Sequence, residues 1–254
     1  MKRIVLWLLP ILAISCSYRN ITAVCDPSFK TLWRGIVSLT FDDGKASAYE
    51  VAVPLLSGMA QKGTFYIFTD GLGEKSFINS GKVKKIQDNE NEIGTHGKTH
   101  KRFPKLSKSE ILNEIIRPRT ELAEMGVKPI STFAYPWGEF TDYSIEQIKN
   151  SGYISARTTV PGLNDCDTDR YMLKAFLIEN WMTFDMIRVT IDQAVENHKW
   201  LILVFHEIQE SDYRYSISIR NFYNILSYLD KNHTQVFTVK EVLDIYNQNN
   251  LPPD

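Results

Sequence analysis

The sequence predicts an α/β fold whose parallel strands are covered by helices and closed toward a barrel. Three observations lead there. Short apolar or β-branched runs alternate with longer amphipathic runs along the chain, the pattern of parallel strands joined by crossover helices. The residues best suited to chemistry, Asp42, Asp43, His96, Pro136 and His206, each follow the end of a predicted strand, where barrel enzymes assemble their sites. No Gly-rich phosphate-binding turn follows the first strand, as an open doubly wound sheet would often carry.

The elements follow in order. Residues 35–41 form an apolar run and a first strand, and 46–61 a helix. Residues 64–69 (Thr-Phe-Tyr-Ile-Phe-Thr) are rich in strand formers, and a short strand at 92–95 precedes His96. The clearest helix spans 107–125. Ser107 and Glu110 form a capping box, and Ile111, Leu112, Ile115, Ile116 and Leu122 make an apolar face. Pro118 is expected to kink it. Strands are expected at 132–135, 154–158, 172–175 and 200–205, with helices at 142–151, 184–197 and 219–232 between most of them. A last strand and helix fit 235–238 and 239–247. There is no internal repeat or low-complexity tract.

Composition narrows the class. Lys and Arg number 29 against 30 Asp and Glu. That balance argues against a nucleic-acid binder, which would carry a basic stripe, and against a polybasic membrane-surface protein. A neutral polymer is compatible with it. Most of the aromatic residues are assigned to core packing.

The N-terminus reads as an export signal. Lys2-Arg3 precedes an apolar stretch, 4–14, too short to span a bilayer. Small residues before Cys16 suggest lipidation at that cysteine; the alternative is ordinary secretion with cleavage near Ser15 or Ala23. Either way the protein is expected in the periplasm, the cell envelope or outside the cell. Cys25 and Cys166 then become candidates for a disulfide in an oxidising compartment. The expected division is a signal peptide at 1–15, a linker at 16–33, one barrel domain at 34–247 and a loose tail at 248–254.

Two clusters carry the chemistry: Thr40-Phe41-Asp42-Asp43-Gly44 and His96-Gly97-Lys98-Thr99-His100. An Asp-Asp-Gly by itself reads as a turn, and two histidines four apart as neighbours on a helix face. Together they offer more. One carboxylate and two imidazoles hold a divalent metal through three protein groups and leave a position for water. The second carboxylate is then free to act as a base. Of the five histidines, a third, His206, ends the apolar strand 200–205.

With these residues the chain resembles the polysaccharide deacetylases of the NodB-homology type, carbohydrate esterase family 4. The family's Thr-Phe-Asp-Asp-Gly motif is matched at 40–44. Its His-Ser/Thr-x-x-His motif is matched by His96 and His100, with Gly97 in the hydroxyl position. Its aromatic-and-proline loop is similar to Phe133-Ala134-Tyr135-Pro136-Trp137-Gly138, and its final strand to Leu203-Val204-Phe205-His206. The resemblance implies a distorted, incomplete (β/α) barrel. It implies Asp43, His96 and His100 as ligands of a divalent metal, Zn2+ first, with Co2+ or Ni2+ as alternatives. Asp42 would be the catalytic base and His206 the catalytic acid.

Tyr135, Pro136 and Trp137 would contact an N-acetylated glycan, with a backbone N–H near Tyr135 helping to hold the oxyanion; Trp181 is a further sugar-platform candidate. The implied reaction removes N-acetyl groups from an N-acetylglucosamine-containing polysaccharide of the cell envelope or an exopolysaccharide. The alternatives are hydrolysis of another amide or an O-acetyl ester on the same scaffold, or a catalytically silent glycan-binding barrel. Two departures stand out. The family's third motif often carries an arginine that orients the base, and Ala134 stands there. Arg157, just after a predicted strand, could supply that charge; it could equally be a surface ion pair. Gly97 lacks the hydroxyl expected to stiffen the histidine turn, which would loosen metal binding. Asp165 and Asp167 are candidate partners for His206. The sequence does not set the oligomeric state.

Overall fold

The computed structural model describes residues 35–247. The segments read as signal, linker and tail, with Cys16 and Cys25, lie outside the described residues. Cys166 is buried and disulfide-bonded.

The strands are β1 (Ile36–Phe41), β2 (Gly63–Ile67), β3 (Glu92–Thr95), β4 (Thr132–Ala134), β5 (Ser155–Arg157), β6 (Phe176–Leu177), β7 (Trp200–Phe205), β8 (Glu207–Ile208), β9 (Ser216–Ile217) and β10 (Gln235–Val236). The main sheet runs β5-β4-β3-β2-β1-β7-β6 and every pairing in it is parallel. β2 reaches only Leu39–Phe41 of β1, and β10 pairs with Ile36 and Val37 below it. The sheet curls into an incomplete barrel. Its gap is bridged by one irregular run: Leu173 and Ala175 bond to the β5 side, and Phe176–Leu177 pair with β7. The strand expected at 172–175 is therefore displaced to Phe176–Leu177, because the run divides its hydrogen bonds between two edges.

The helices are α1 (Val53–Gly58), α2 (Ser80–Asp88), α3 (Lys108–Glu124), α4 (Asp142–Asn150), α5 (Phe184–Glu196), α6 (Ile219–Lys231) and α7 (Val239–Asn247). The expected 46–61 helix divides into a π-helical turn, Ala48–Ala52, and α1. α2 and the small β8–β9 pair were not expected. α3 has its capping box, Ser107 with Glu110. It runs through Pro118 without interruption. Pro118 cannot donate to the Glu114 carbonyl, and the neighbouring Ile115 carbonyl accepts the Tyr153 hydroxyl at 2.9 Å.

β1 and β7 are buried along their whole length, as strands covered on both faces must be. Val37, Leu39 and Phe41 pack outward under α1, α5 and α6, while Ile36 joins Trp200, Ile202 and Val204 within the barrel. That interior is partly polar. Glu92 accepts hydrogen bonds from Thr64, Thr132 and the Lys240 N–H at the start of α7. The site lies at the opposite, C-terminal ends of the strands.

Candidate metal centre and catalytic site

β1 delivers the two carboxylates. The Asp42 N–H still donates to Phe205 of β7 at 2.9 Å. The chain then turns sharply, with Asp43 at φ 72° and Gly44 at φ 74°. This left-handed region favours glycine and, next to it, Asp or Asn. The turn buries both acids: Asp42 is 2% and Asp43 8% exposed.

β3 delivers the histidines. His96 Nδ1 lies 2.8 Å from the Ala134 carbonyl. A carbonyl only accepts, so Nδ1 carries the proton and Nε2 keeps its lone pair. That Nε2 is 3.6 Å from Asp43 Oδ1, and His100 Nε2 is 3.2 Å from the same oxygen. The residues between them are not a helical turn, contrary to expectation. Gly97 at φ 77° and His100 at φ 57° fold 96–100 into a loop, which brings the two rings to 4.9 Å at 61°.

One ligand atom from each of Asp43, His96 and His100 falls within 4.8 Å of the others. Asp43 Oδ1 is buried without a hydrogen-bond partner. An orphaned carboxylate oxygen facing two imidazole nitrogens fits a divalent cation. Burial pushes His96 down to about 4, so the ring is in its ligating, neutral form. For Asp43, burial works upward but is outweighed by the His100 contact and the attraction of His206 and His96. Its carboxyl stays well below the usual carboxylate range.

Beside this cluster lies a buried ion pair. Arg157 is fully buried. Its Nη2 sits 2.6 Å from Asp42 Oδ1 and 2.5 Å from Oδ2, while Nη1 donates to the Thr158 carbonyl. The surface-pair reading of Arg157 is thereby excluded. β5 carries Arg157 to Asp42, whereas the Ala134 position of β4 supplies only its carbonyl, to His96.

His206 follows β7. Its ring stacks on Tyr215 at 5.2 Å and its Nδ1 is buried without a partner. Of the two proposed aspartate partners, Asp165 instead bonds Lys199 at 2.6 Å, and Asp167 is exposed. Burial lowers the His206 pKa, and Asp42 and Asp43 pull it back up.

The aromatic loop departs from expectation. The Tyr135 ring is buried in the core with Phe103 and Phe133, and its N–H donates to the Arg157 carbonyl at 3.0 Å. It offers neither a sugar platform nor an oxyanion donor. Pro136 is buried, whereas Trp137 is 48% exposed and its ring lies 5.2 Å from that of His100. Its Nε1 donates to the His100 carbonyl at 3.0 Å, and the Arg102 guanidinium covers its ring at 4.1 Å. Trp181 is exposed and donates to Glu179 at 2.6 Å.

Gly97 also reads differently in the structure. A Cβ there would meet Glu114 Oε2 at 2.9 Å and Pro136 Cγ at 3.0 Å, and φ is positive, so glycine is what this loop requires. Two further residues escaped the sequence reading. Lys45 Nζ lies 4.0 Å from Asp43 Oδ2 and 3.6 Å from Glu207. Glu114 is buried under the histidine loop. Its signal was its place on the apolar stripe of α3, between Ile111, Ile115 and Pro118.

A family model described as polysaccharide deacetylase matches residues 30–156, half of the 254-residue chain. The chain belongs to the polysaccharide deacetylase family. The matched region includes the Asp-Asp-Gly turn and both candidate ligand histidines and stops before Arg157 and His206. A poly-beta-1,6-N-acetyl-D-glucosamine N-deacetylase of Staphylococcus aureus is 28% identical over 58% of this chain and 59% of its own length. The Bacillus subtilis protein YxkH is 24% identical over 54% of this chain and 49% of its own. The chain thus spans between about half and three fifths of these curated relatives. Among solved structures, the Xyl-CE4 domain of a multidomain xylanase from a Trinervitermes trinervoides hindgut metagenome superposes with a TM-score of 0.63. That match has 18% identity and covers 85% of this chain and 93% of that one. At that identity the likeness concerns the fold.

Proposed function

We propose that this polysaccharide deacetylase-family protein is a metal-dependent N-deacetylase of an N-acetylglucosamine-containing polysaccharide of the cell envelope or an exopolysaccharide. One observation carries the reading: a three-ligand cluster with an orphaned carboxylate oxygen lies beside a second buried carboxylate held by Arg157. Binding alone would not need both.

Asp43, His96 and His100 would hold the metal, and their mixed nitrogen and oxygen donors suit Zn2+, with Co2+ or Ni2+ as alternatives. When bound, the cation supplies Lewis-acid polarisation of the amide carbonyl and acidifies water. Asp42, fixed by Arg157, accepts the proton of the attacking water. The C–N bond breaks as protonated His206 gives its proton to the departing amine. Acetate and a free glucosamine nitrogen result. Trp137 borders the ligands with exposed ring surface on which a sugar could stack. The S. aureus relative's name supports a glucosamine polymer as substrate.

The test is a panel of β-1,4- and β-1,6-linked N-acetylglucosamine oligomers incubated with the zinc-loaded protein. Loss of single acetyl groups by mass spectrometry, with matching acetate, is expected from at least one. Intact oligomers throughout, with acetate released from O-acetylated sugars instead, would transfer the reading to an esterase.

A further inference from the structure

We propose that Glu114 is a positioning residue for the metal centre: its carboxylate sets the shape of the 96–100 loop and thereby the spacing of the two ligand histidines. The proposal rests on the reading of Asp43, His96 and His100 as ligands.

Glu114 is 3% exposed and lies on the apolar stripe of α3. A buried carboxylate is costly unless its oxygens are satisfied. Among the described ion pairs none involves Glu114. Its compensation comes from the loop. Oε2 accepts the N–H of Lys98 at 2.8 Å and of Thr99 at 2.9 Å, and Oε1 accepts the Thr99 hydroxyl at 2.6 Å. All three donors belong to residues between His96 and His100. Two successive N–H groups after a positive-φ glycine form a small anion-binding concavity, and Glu114 fills it from below.

The loop needs such a clamp. His100 holds φ 57°, a conformation that costs a non-glycine residue free energy and persists only where its surroundings enforce it. Trp137 Nε1 grips the His100 carbonyl on one side, and Glu114 grips the preceding two residues on the other. Because a ligand stands at each end of this five-residue segment, its shape is the ligand spacing. α3 has its own anchors in Ile111, Ile115, Leu122 and its capping box, so the helix does not depend on Glu114.

The experiment compares zinc affinity of the full chain with that of Glu114→Ala, Glu114→Gln and Thr99→Val, by competition with a chromophoric chelator. The visible spectrum of each cobalt-loaded protein reports ligand geometry. Loss of a group that orients metal ligands typically weakens affinity by about 10–100-fold, and that range is expected for Glu114→Ala. Glu114→Gln should recover part of it, since its carbonyl can still accept both N–H groups. Thr99→Val should fall between parent and Ala. An altered cobalt spectrum in Ala should return toward the parent's in Gln. Unchanged affinity and spectrum in Glu114→Gln and Thr99→Val, with Ala unchanged or unfolded, would overturn the proposal. A parent that binds no zinc would remove the ligand reading and the proposal with it.

Discussion

Replacing Arg157 by Met removes the guanidinium while keeping most of the stem. Arg157 is fully buried and Asp42 2% exposed, so the aspartate would be left as an uncompensated charge out of water. Breaking a buried pair this way typically costs about 3–5 kcal/mol. A Coulomb estimate agrees: unit charges about 4 Å apart interact by about 4 kcal/mol at an effective dielectric of ~20. Domains of this kind have about 5–15 kcal/mol of stability, so Arg157→Met should fold but unfold at lower urea. Asp42→Asn removes the orphaned charge. The double variant should therefore be much less destabilised than the two single effects add to, with a coupling of about 2 kcal/mol or more.

Urea denaturation of the four proteins completes that cycle. With a cleaved oligomer, Arg157→Met should also lower kcat, by about 10²-fold if Asp42 moves by about an ångström. Arg157→Lys should be intermediate, because one ammonium cannot occupy both the Asp42 position of Nη2 and the Thr158 position of Nη1. Coupling within about 0.5 kcal/mol of zero, together with unchanged kcat, would refute the role assigned to the pair.

Other outcomes follow from the same geometry. Asp43→Ala, His96→Ala and His100→Ala should each lose bound metal while remaining folded, read by elemental analysis; full occupancy in any of them would remove that residue from the ligand set. Asp42→Asn and His206→Ala should keep the metal and lose about 10²–10⁴-fold in kcat, and near-parental turnover in either would contradict its role. Burial holds His206 below its ordinary 6.5, so as a proton donor it should give kcat/KM an alkaline limb starting below about pH 6.5. That limb should be absent from His206→Ala and should shift upward in Arg157→Met, since Arg157 pushes the His206 pKa down. In metal-free protein, the folded-state pKa of His96 is about 4 against 6.5 in the open chain. The unfolded state then binds more protons, and stability should fall by up to about 1.4 kcal/mol per pH unit between about pH 6.5 and 4; equal urea midpoints at pH 7 and 4.5 would contradict this. Gly97→Ser, which restores the family's hydroxyl, should destabilise by about 1–2 kcal/mol because φ is positive, and a raised denaturation midpoint would show the loop tolerates a side chain.

Much of the framework was legible in the chain because its signals are local. β1 and β7 are continuous apolar runs, and α3 announces itself through Ser107, Glu110 and its 3.6-residue stripe. The Asp-Asp-Gly turn and His96/His100 stand next to strand ends in the sequence and in the fold. What was not legible depends on contacts between distant segments. Arg157 meets Asp42 across 115 positions of sequence, so its burial could not be read from its neighbours. Tyr135 sits in a motif-like loop, yet its ring is drawn into the core by Phe103 and Phe133. Residues 172–175 have strand-like composition, but the gap in the barrel splits their hydrogen bonds between β5 and β7. Glu114 stands on the apolar stripe of α3, but its partners are the Lys98 and Thr99 donors of a loop that precedes the helix.

The central claim, that Asp43, His96 and His100 hold a metal used with Asp42 and His206 to remove acetyl groups, is tested most directly by a depletion and reloading titration. The protein is stripped with a chelator, and acetate release from an N-acetylglucosamine oligomer is measured as zinc is returned in sub-stoichiometric steps. Acetate release should be lost on stripping and rise linearly until one zinc per chain is bound. Release that survives complete stripping, or its absence from a protein with one zinc per chain on every oligomer tried, would contradict the account.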